Sequence, residues 1–205
     1  AEMENIVGVK LDSFRDDAGI KYAVKHQEES GLQFHGLVTC EHYRNDELIH
    51  TQTGSNIFTT QGMAKILNCI FKAVATDAAI YVGIFKNDVT PLVTHVAGDG
   101  SASGQLGTSG TYGECLDADY DSPATNKPAY TIATTSTAAC TNTASKATFV
   151  MAQGITVYGA FLSNVASKTT PTGGTLFCAK KFTSSRAVIA DDELAITYAI
   201  TCTSS

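Results

Sequence analysis

The stretch that decides the fold is IFTTQGMAKILNCIFKAVATDAAIYVGIFKN, residues 57–87. Its apolar residues recur at the three- and four-residue spacing of one helix face. They are Met63, Ile66, Leu67, Ile70, Phe71 and Val74. Thr59 or Thr60 can cap the first turn by accepting a hydrogen bond from an unpaired amide. The spacing therefore predicts an amphipathic helix over about 60–74, with all six apolar side chains buried and a buried strand following near 79–87.

This helix prediction carries an expectation about folding. Burying an apolar side chain of this size stabilises a fold by about 1.5 to 3 kcal/mol, so the six together contribute substantially. Replacing Ile66 or Phe71 by Asp is accordingly expected to prevent folding.

The remainder of the chain has the patterns of β structure. Residues 32–40 and 47–53 flank a polar turn at 44–46, which predicts a hairpin. Ile155, Val157 and Phe161 are predicted to share one face of a later strand. The last strand, near 192–202, alternates buried with small or polar positions, and its apolar set is Leu194, Ile196, Tyr198, Ile200 and Cys202. Roughly seven to nine short strands and one helix predict a mainly β fold, a jelly-roll-like β-sandwich.

The domain organisation is predicted as an N-terminal arm or edge segment over 1–30 and a β-sandwich domain over 31–205. The first segment is polar with scattered apolar anchors, so it is either an extended arm that contacts a neighbouring protein or the first strand of the domain. Its candidate partner-contact residues are Ile6, Val9, Phe14, Tyr22 and Val24. A glycine-rich loop at about 98–113 is expected to bury little and to be mobile.

Charge and hydropathy narrow the function classes. The 20 acidic and 14 basic residues give a net charge of -6, which disfavours nucleic acid and anionic membranes as partners. Apolar runs of membrane-spanning length are missing from the sequence, and residues 1–4 do not resemble a signal peptide. The six cysteines are widely spaced without a C-x-x-C pair, so buried free thiols in a cytosolic product are expected.

Two groups of residues are of the types that bind metal ions. Asp117, Asp119 and Asp121 have the spacing that opens a calcium loop, but Ser122 and Pro128 occupy the positions of its glycine and its bidentate glutamate. A solvated acidic loop is the preferred interpretation.

The histidines form the second group. His35, His42 and His50 fall on two strands that are predicted to pair, yet no cysteine or carboxylate stands at ligand spacing. We therefore predict no metal site and no cofactor.

Catalytic motifs are also missing from the sequence. The glycines at 98–104 lack the spacing and the Lys-Ser/Thr of a phosphate-binding loop, and there is no G-x-S-x-G nucleophile elbow. Arg186 is expected to pair with Asp191 or Asp192 near the last turn. The expectation is a protein that is not an enzyme.

Several segments resemble a family of small virion structural proteins of tailed bacteriophages. They are TTQGM at 59–63 with the apolar helix, YVGIFKN at 81–87, TVYGAFL at 156–162, GTLFCAKKF at 174–182 and ADDELAITY at 190–198. The resemblance covers roughly 32–202, except for the glycine-rich loop. Asp191-Asp192 stands where the family pattern has Gly-Asp.

The resemblance implies a non-enzymatic virion protein made in the host cytoplasm. The first function that the resemblance implies is that of a capsid decoration, or cement, protein that stabilises the shell. Such a protein would contact the major capsid protein and copies of itself, as a homo-oligomer such as a dimer or trimer. The alternative function is that of a neck, tail or fibre component that binds carbohydrate receptors.

Overall fold

The structure, a computed structural model, describes residues 9–15, 21–27, 32–132 and 139–204. The chain divides into two compact units. Ala1–Gln33 with Thr203–Ser205 form one unit, and Phe34–Cys202 form the other.

The first unit contains an antiparallel hairpin of β1 (Val9–Arg15) and β2 (Lys21–Gln27). In its register Phe14 lies opposite Tyr22 and Asp12 lies opposite Val24. Four of the five predicted partner-contact residues are on these two strands, whereas Ile6 lies outside the described residues. Their role in contacting a partner stays a prediction.

The second unit is mainly β, with two antiparallel sheets and one helix, α1 (Thr60–Phe71). Its strands are β3 (Leu32–Arg44), β4 (Glu47–Ser55), β5 (Ile57–Phe58), β6 (Tyr81–Phe85), β7 (Tyr120–Ser122), β8 (Ala139–Thr141), β9 (Ala147–Met151), β10 (Ile155–Ser163), β11 (Leu176–Val188) and β12 (Glu193–Ser204). One sheet has the order β5-β11-β10-β6, and the other has the order β4-β3-β12-β9-β7 with β8 beside β12. The predicted β-sandwich with one helix is confirmed, while the jelly-roll connectivity stays a prediction.

The main hydrophobic core draws on both sheets, as a sandwich requires. Its larger members are Val38, Ile84, Tyr120, Phe149, Leu162, Phe182, Leu194, Ile196 and Tyr198. The alternation predicted for the last strand is confirmed at Leu194, Ile196 and Tyr198, all fully buried, and weakens at its end, where Ile200 and Cys202 are only partly buried.

Both predicted turns adopt left-handed backbone. In the β3–β4 hairpin Asn45 and Asp46 have φ of 51° and 62°, the signs that a two-residue type I′ turn requires. Between β11 and β12 Asp191 has φ of 67°. Aspartate tolerates this region better than most residues, so the turn forms although the family pattern has glycine there.

Strand β10 changes face part-way along. The pairing with β11 shifts register between Val157, which lies opposite Arg186, and Gly159, which lies opposite Lys181. As a result Val157 joins the main core, whereas Phe161 lies on the opposite face of the sheet. The prediction that Ile155, Val157 and Phe161 share one face is wrong, because a period of two holds only while the register is continuous.

That opposite face is buried by the chain itself. Its residues, called the outer cluster here, are Phe85, Ala97, Leu106, Tyr112, Phe161, Leu176 and Ala179. Three of them come from residues 88–113, the covering segment, which includes the glycine-rich loop. The Tyr112 ring meets the Phe85 ring edge-on at 5.0 Å between centroids.

The expectation that the glycine-rich loop buries little is therefore wrong. Leu106 and Tyr112 are 0% exposed, and the Leu106 amide donates to the Ala97 carbonyl at 3.1 Å. Gly98 and Gly100 have φ of 98° and 79°, which allows the tight turns that bring the two apolar residues inward.

All six cysteines fall within the described residues and are free thiols. Cys40, Cys115 and Cys178 are buried, and burial raises the pKa of Cys40 and of Cys178 to about 12. They pack as small apolar side chains. Within the described ranges no helix has the length and apolar character needed to cross a membrane.

Candidate functional site

Helix α1 is held at its first turn by two polar side chains. Thr59 is the N-cap: its Oγ accepts from the Gly62 amide at 3.0 Å and donates to the Leu176 carbonyl of β11. The Gln61 amide oxygen accepts from the amides of Ala97 and Leu176 at 3.0 and 2.8 Å. This turn is thus bonded both to β11 and to the covering segment.

Gly62 allows the close approach that this attachment needs. It is the one buried residue of α1, and a Cβ atom built at this position would collide with the backbone of Phe177. The TTQG segment at 59–62 is therefore the point at which the helix is attached to the four-stranded sheet.

The rest of the helix turns an apolar face outward. Exposed fractions are 44% for Leu67, 63% for Ile70, 78% for Phe71 and 45% for Val74. These four residues are called the α1 apolar surface. The predicted burial of all six helix side chains is wrong, because the helix is held to the sheet through its first turn and Ile66, which leaves Leu67, Ile70 and Phe71 at the surface.

The expected effect of the two Asp substitutions changes accordingly. Ile66 packs against the main core, so Ile66→Asp is still expected to disrupt folding. Phe71→Asp is expected to leave the fold intact, since it replaces a side chain that already faces water. The helix itself is confirmed, although it ends at Phe71 rather than at 74.

A groove opens beside this surface, between α1 and the segment that follows it. Its cavity volume is about 220 Å³. The lining residues are Lys65, Ile66, Cys69, Ile70, Thr76, Asp77, Ile80 and Phe177. The two charged residues pair with each other at 3.2 Å between Lys65 Nζ and Asp77 Oδ1, which leaves the floor and walls of the groove apolar.

The predicted acidic loop is held by lysines. Asp119 is buried and accepts from Lys86 Nζ at 2.8 and 3.0 Å, while Asp117 pairs with Lys168 at 3.2 Å. Asp121 is exposed. The first two carboxylates therefore have separate cationic partners. Among residues 32–132 and 139–204 no three His, Cys, Asp or Glu side chains converge on a possible metal site.

A fully buried ion pair lies next to this loop, and sequence reasoning missed it. Lys127 Nζ donates to Glu114 Oε1 at 2.8 Å and to Thr172 Oγ at 2.7 Å. The Thr172 amide donates to the other Glu114 oxygen at 2.7 Å. Burial raises the pKa of Glu114 and lowers that of Lys127, and the charge of each opposes the shift of the other. Glu114, Lys127 and Thr172 lie on three different loops, so these contacts join the three loops to one another.

A second polar cluster surrounds Asp192. Arg44 donates to both of its carboxylate oxygens at 2.7 and 2.8 Å and holds the pKa of Asp192 well below its usual range. His42, which pairs in register with His50, is fully buried, with Nε2 at 2.9 Å from Asp192 and Nδ1 at 3.1 Å from Arg186. Arg186 donates to Nδ1, so Nε2 carries the proton that is given to Asp192.

This arrangement corrects the predicted ion pair of Arg186. The guanidinium contacts His42, and Asp192 is paired with Arg44 instead. Of the three histidines, His42 and His50 come together as paired neighbours, whereas His35 is exposed at the other end of β3.

An open polar cavity of about 520 Å³ lies beside the same cluster. Its lining residues are Tyr43, Asn45, Asp46, Val150, Asp191 and Glu193. Three carboxylates and an amide surround one aromatic ring, so the cavity has hydrogen-bonding groups of the kind that polar ligands require.

In comparisons with known proteins, no family model and no curated protein matches this chain. The resemblance of the quoted segments to phage virion proteins stays a prediction.

Proposed function

We propose that this chain is a structural virion protein of a tailed bacteriophage, a capsid decoration protein that stabilises the shell. The observation that carries the proposal is the α1 apolar surface, where Phe71 is 78% exposed and Ile70 63% exposed. Adjacent apolar side chains left open to water favour association with another protein, because their burial stabilises the complex.

The resemblance of the quoted segments to phage virion proteins is a second argument for the proposal. The residues that carry it at 59–62 are those that attach α1 to β11 through Thr59, Gln61 and Gly62. Because the helix is held through its first turn and Ile66, the side chains of Leu67, Ile70 and Phe71 remain exposed. In this proposal the segment shared with phage proteins serves to display a contact surface towards the major capsid protein or towards copies of the same chain.

Copy number in the particle tests this proposal. Quantitative mass spectrometry of virions from a phage that encodes the chain should find on the order of hundreds of copies, as a protein that repeats over the shell requires. A small multiple of three or six would instead locate the protein in the neck or tail and overturn the decoration role. Absence from purified particles would overturn any virion role.

A second candidate is a fibre component that recognises carbohydrate. The polar cavity lined by Tyr43, Asn45 and Glu193 favours it, since sugar hydroxyls are bound by carboxylates and amides beside an aromatic ring. A glycan array probed with the purified chain would support this role if binding is lost in Glu193→Gln and Tyr43→Ala. If no glycan on the array binds, the polar cavity does not support a carbohydrate-binding role.

A further inference from the structure

Among residues 34–132 and 139–204, the most exposed aromatic residue lies next to an apolar groove. Phe71 is 78% exposed at the last residue of α1, and its sequence neighbour Ile70 is both a wall of the groove and part of the α1 apolar surface. A projecting ring and a recess thus occur side by side on one helix.

The groove has the size and chemistry to accept such a ring. Its volume is about 220 Å³, and Ile66, Ile80 and Phe177 are among its walls. An apolar cavity of roughly 150 Å³ suffices for benzene, so a phenyl ring fits without displacing these side chains. The charges of Lys65 and Asp77 at the groove already neutralise each other and do not repel an apolar guest.

A second copy of this chain carries a ring of matching size. In a two-fold interface the same patch is used by both partners, so a residue that contacts a recess on its partner finds its own recess filled in return. Phe71 and the groove meet that condition because both belong to α1. We propose that two copies pair through their α1 helices, with the Phe71 ring of each copy seated in the groove of the other.

The apolar area of this surface corresponds to the centre of a dimer interface, about half of what a standard interface buries on each partner. Leu67, Ile70, Phe71 and Val74 together expose on the order of 400 Å² per copy, given their exposed fractions. A standard interface buries about 800 Å² per partner, of which the central part is apolar and the rim polar. The α1 apolar surface supplies that centre, and Lys72, exposed at the end of the helix, belongs to the rim.

The test is the mass of the purified full chain in solution. Sedimentation equilibrium should give twice the 21.6 kDa chain mass, and Phe71→Asp should weaken the dimer at least about thirtyfold, as a central hot-spot residue does. Leu48→Asp is the matched control: Leu48 is 48% exposed on β4 of the other sheet, so the dimer should persist. A monomeric wild type, a trimer, or equal weakening by both variants would overturn the proposal.

A second measurement identifies the surface. Cys69 lines the groove and is partly exposed, so its alkylation, followed by peptide mass mapping, should be slower in the wild-type dimer than in Phe71→Asp. A dimer in which Cys69 reacts equally fast in both proteins would overturn the assignment to α1. Thermal melting of each variant ensures that loss of the dimer is not loss of the fold.

The inference deepens the proposed function by naming the occupant of its contact surface, yet the two can fail separately. Virions that contain the chain in hundreds of copies, together with a monomer in solution and on the particle, would overturn the pairing alone. A dimer that is missing from particles would overturn the virion role alone.

Discussion

Two apolar faces of this molecule differ in whether the chain itself covers them. The outer cluster of the four-stranded sheet is fully covered, because the covering segment lays Leu106 and Tyr112 over Phe161. The α1 apolar surface is left open, with Phe71 as its most exposed member. Both derive from apolar residues at regular spacing, so the difference teaches that such a pattern specifies a face to be covered and not what covers it.

The largest expected effect concerns the buried ion pair of Lys127 with Glu114, the residue that directly follows the covering segment in the chain. Lys127→Met leaves the Glu114 carboxylate buried without its cation, which should lower the free energy of unfolding by about 3 to 5 kcal/mol. Urea unfolding followed by circular dichroism measures the change. The double variant Lys127→Met with Glu114→Gln should recover part of the loss, and a single variant as stable as wild type would show that the pair does not hold the three loops together.

The next effect compares the two faces directly with one substitution. Leu106→Ala removes a side chain that is 0% exposed and should cost about 2 to 5 kcal/mol. Leu67→Ala removes the same atoms from the α1 apolar surface, where 44% of the side chain is exposed, and should change stability by no more than about 0.5 to 1 kcal/mol. Both are measured by chemical denaturation at a protein concentration low enough to keep the chain monomeric. Equal costs would mean that the two faces do not differ.

A smaller effect tests how α1 is attached. Thr59→Ala removes the N-cap and its bond to Leu176, which should cost about 1 to 2 kcal/mol. Thr60→Ala is the control, since Thr60 is exposed at the first residue of the helix. Thermal melts of the two variants should differ clearly, and similar melting temperatures would argue that the helix is not attached through Thr59.

The smallest effect is a pH dependence of the covered side. Burial lowers the pKa of His95, whose Nδ1 lies 2.8 Å from the Tyr112 hydroxyl. Because the folded pKa is lowered, the neutral imidazole stabilises the fold fully above the unfolded pKa of about 6.5, and this contribution is lost as pH falls through the folded pKa. Stability of the wild type should therefore fall more between pH 7 and pH 5 than that of His95→Gln. A parallel loss in both proteins would exclude His95 as the cause.

The particular residues show how far sequence reasoning reached. Helix α1, the β3–β4 hairpin and the alternation of β12 followed from periodicity and turn chemistry, which act over a few residues. The face change in β10 did not follow, because the register shift between Val157 and Gly159 is a property of the pairing with β11. The partner of Arg186 did not follow either, since Arg44 and His42 approach Asp192 from 148 and 150 positions away in the chain.

The candidate surface divides in the same way. The apolar residues of α1 and the capping role of Thr59 were evident from the sequence. Their exposure was not, because it depends on how Gly62 meets the backbone of Phe177 and how Ile66 packs against the main core. Likewise the glycine-rich composition of 98–113 suggested a loop that buries little. In the structure Leu106 and Tyr112 of this loop are buried against the four-stranded sheet.

By itself the sequence determined the local elements of this protein, since helix spacing, strand alternation and left-handed turn residues are properties of short segments. Only the tertiary structure decided which apolar face is covered within the chain and which stays open. Burial is a relation between segments distant in sequence, and the hydrophobic gain per unit of apolar area is the same whether the covering atoms come from the same chain or from another.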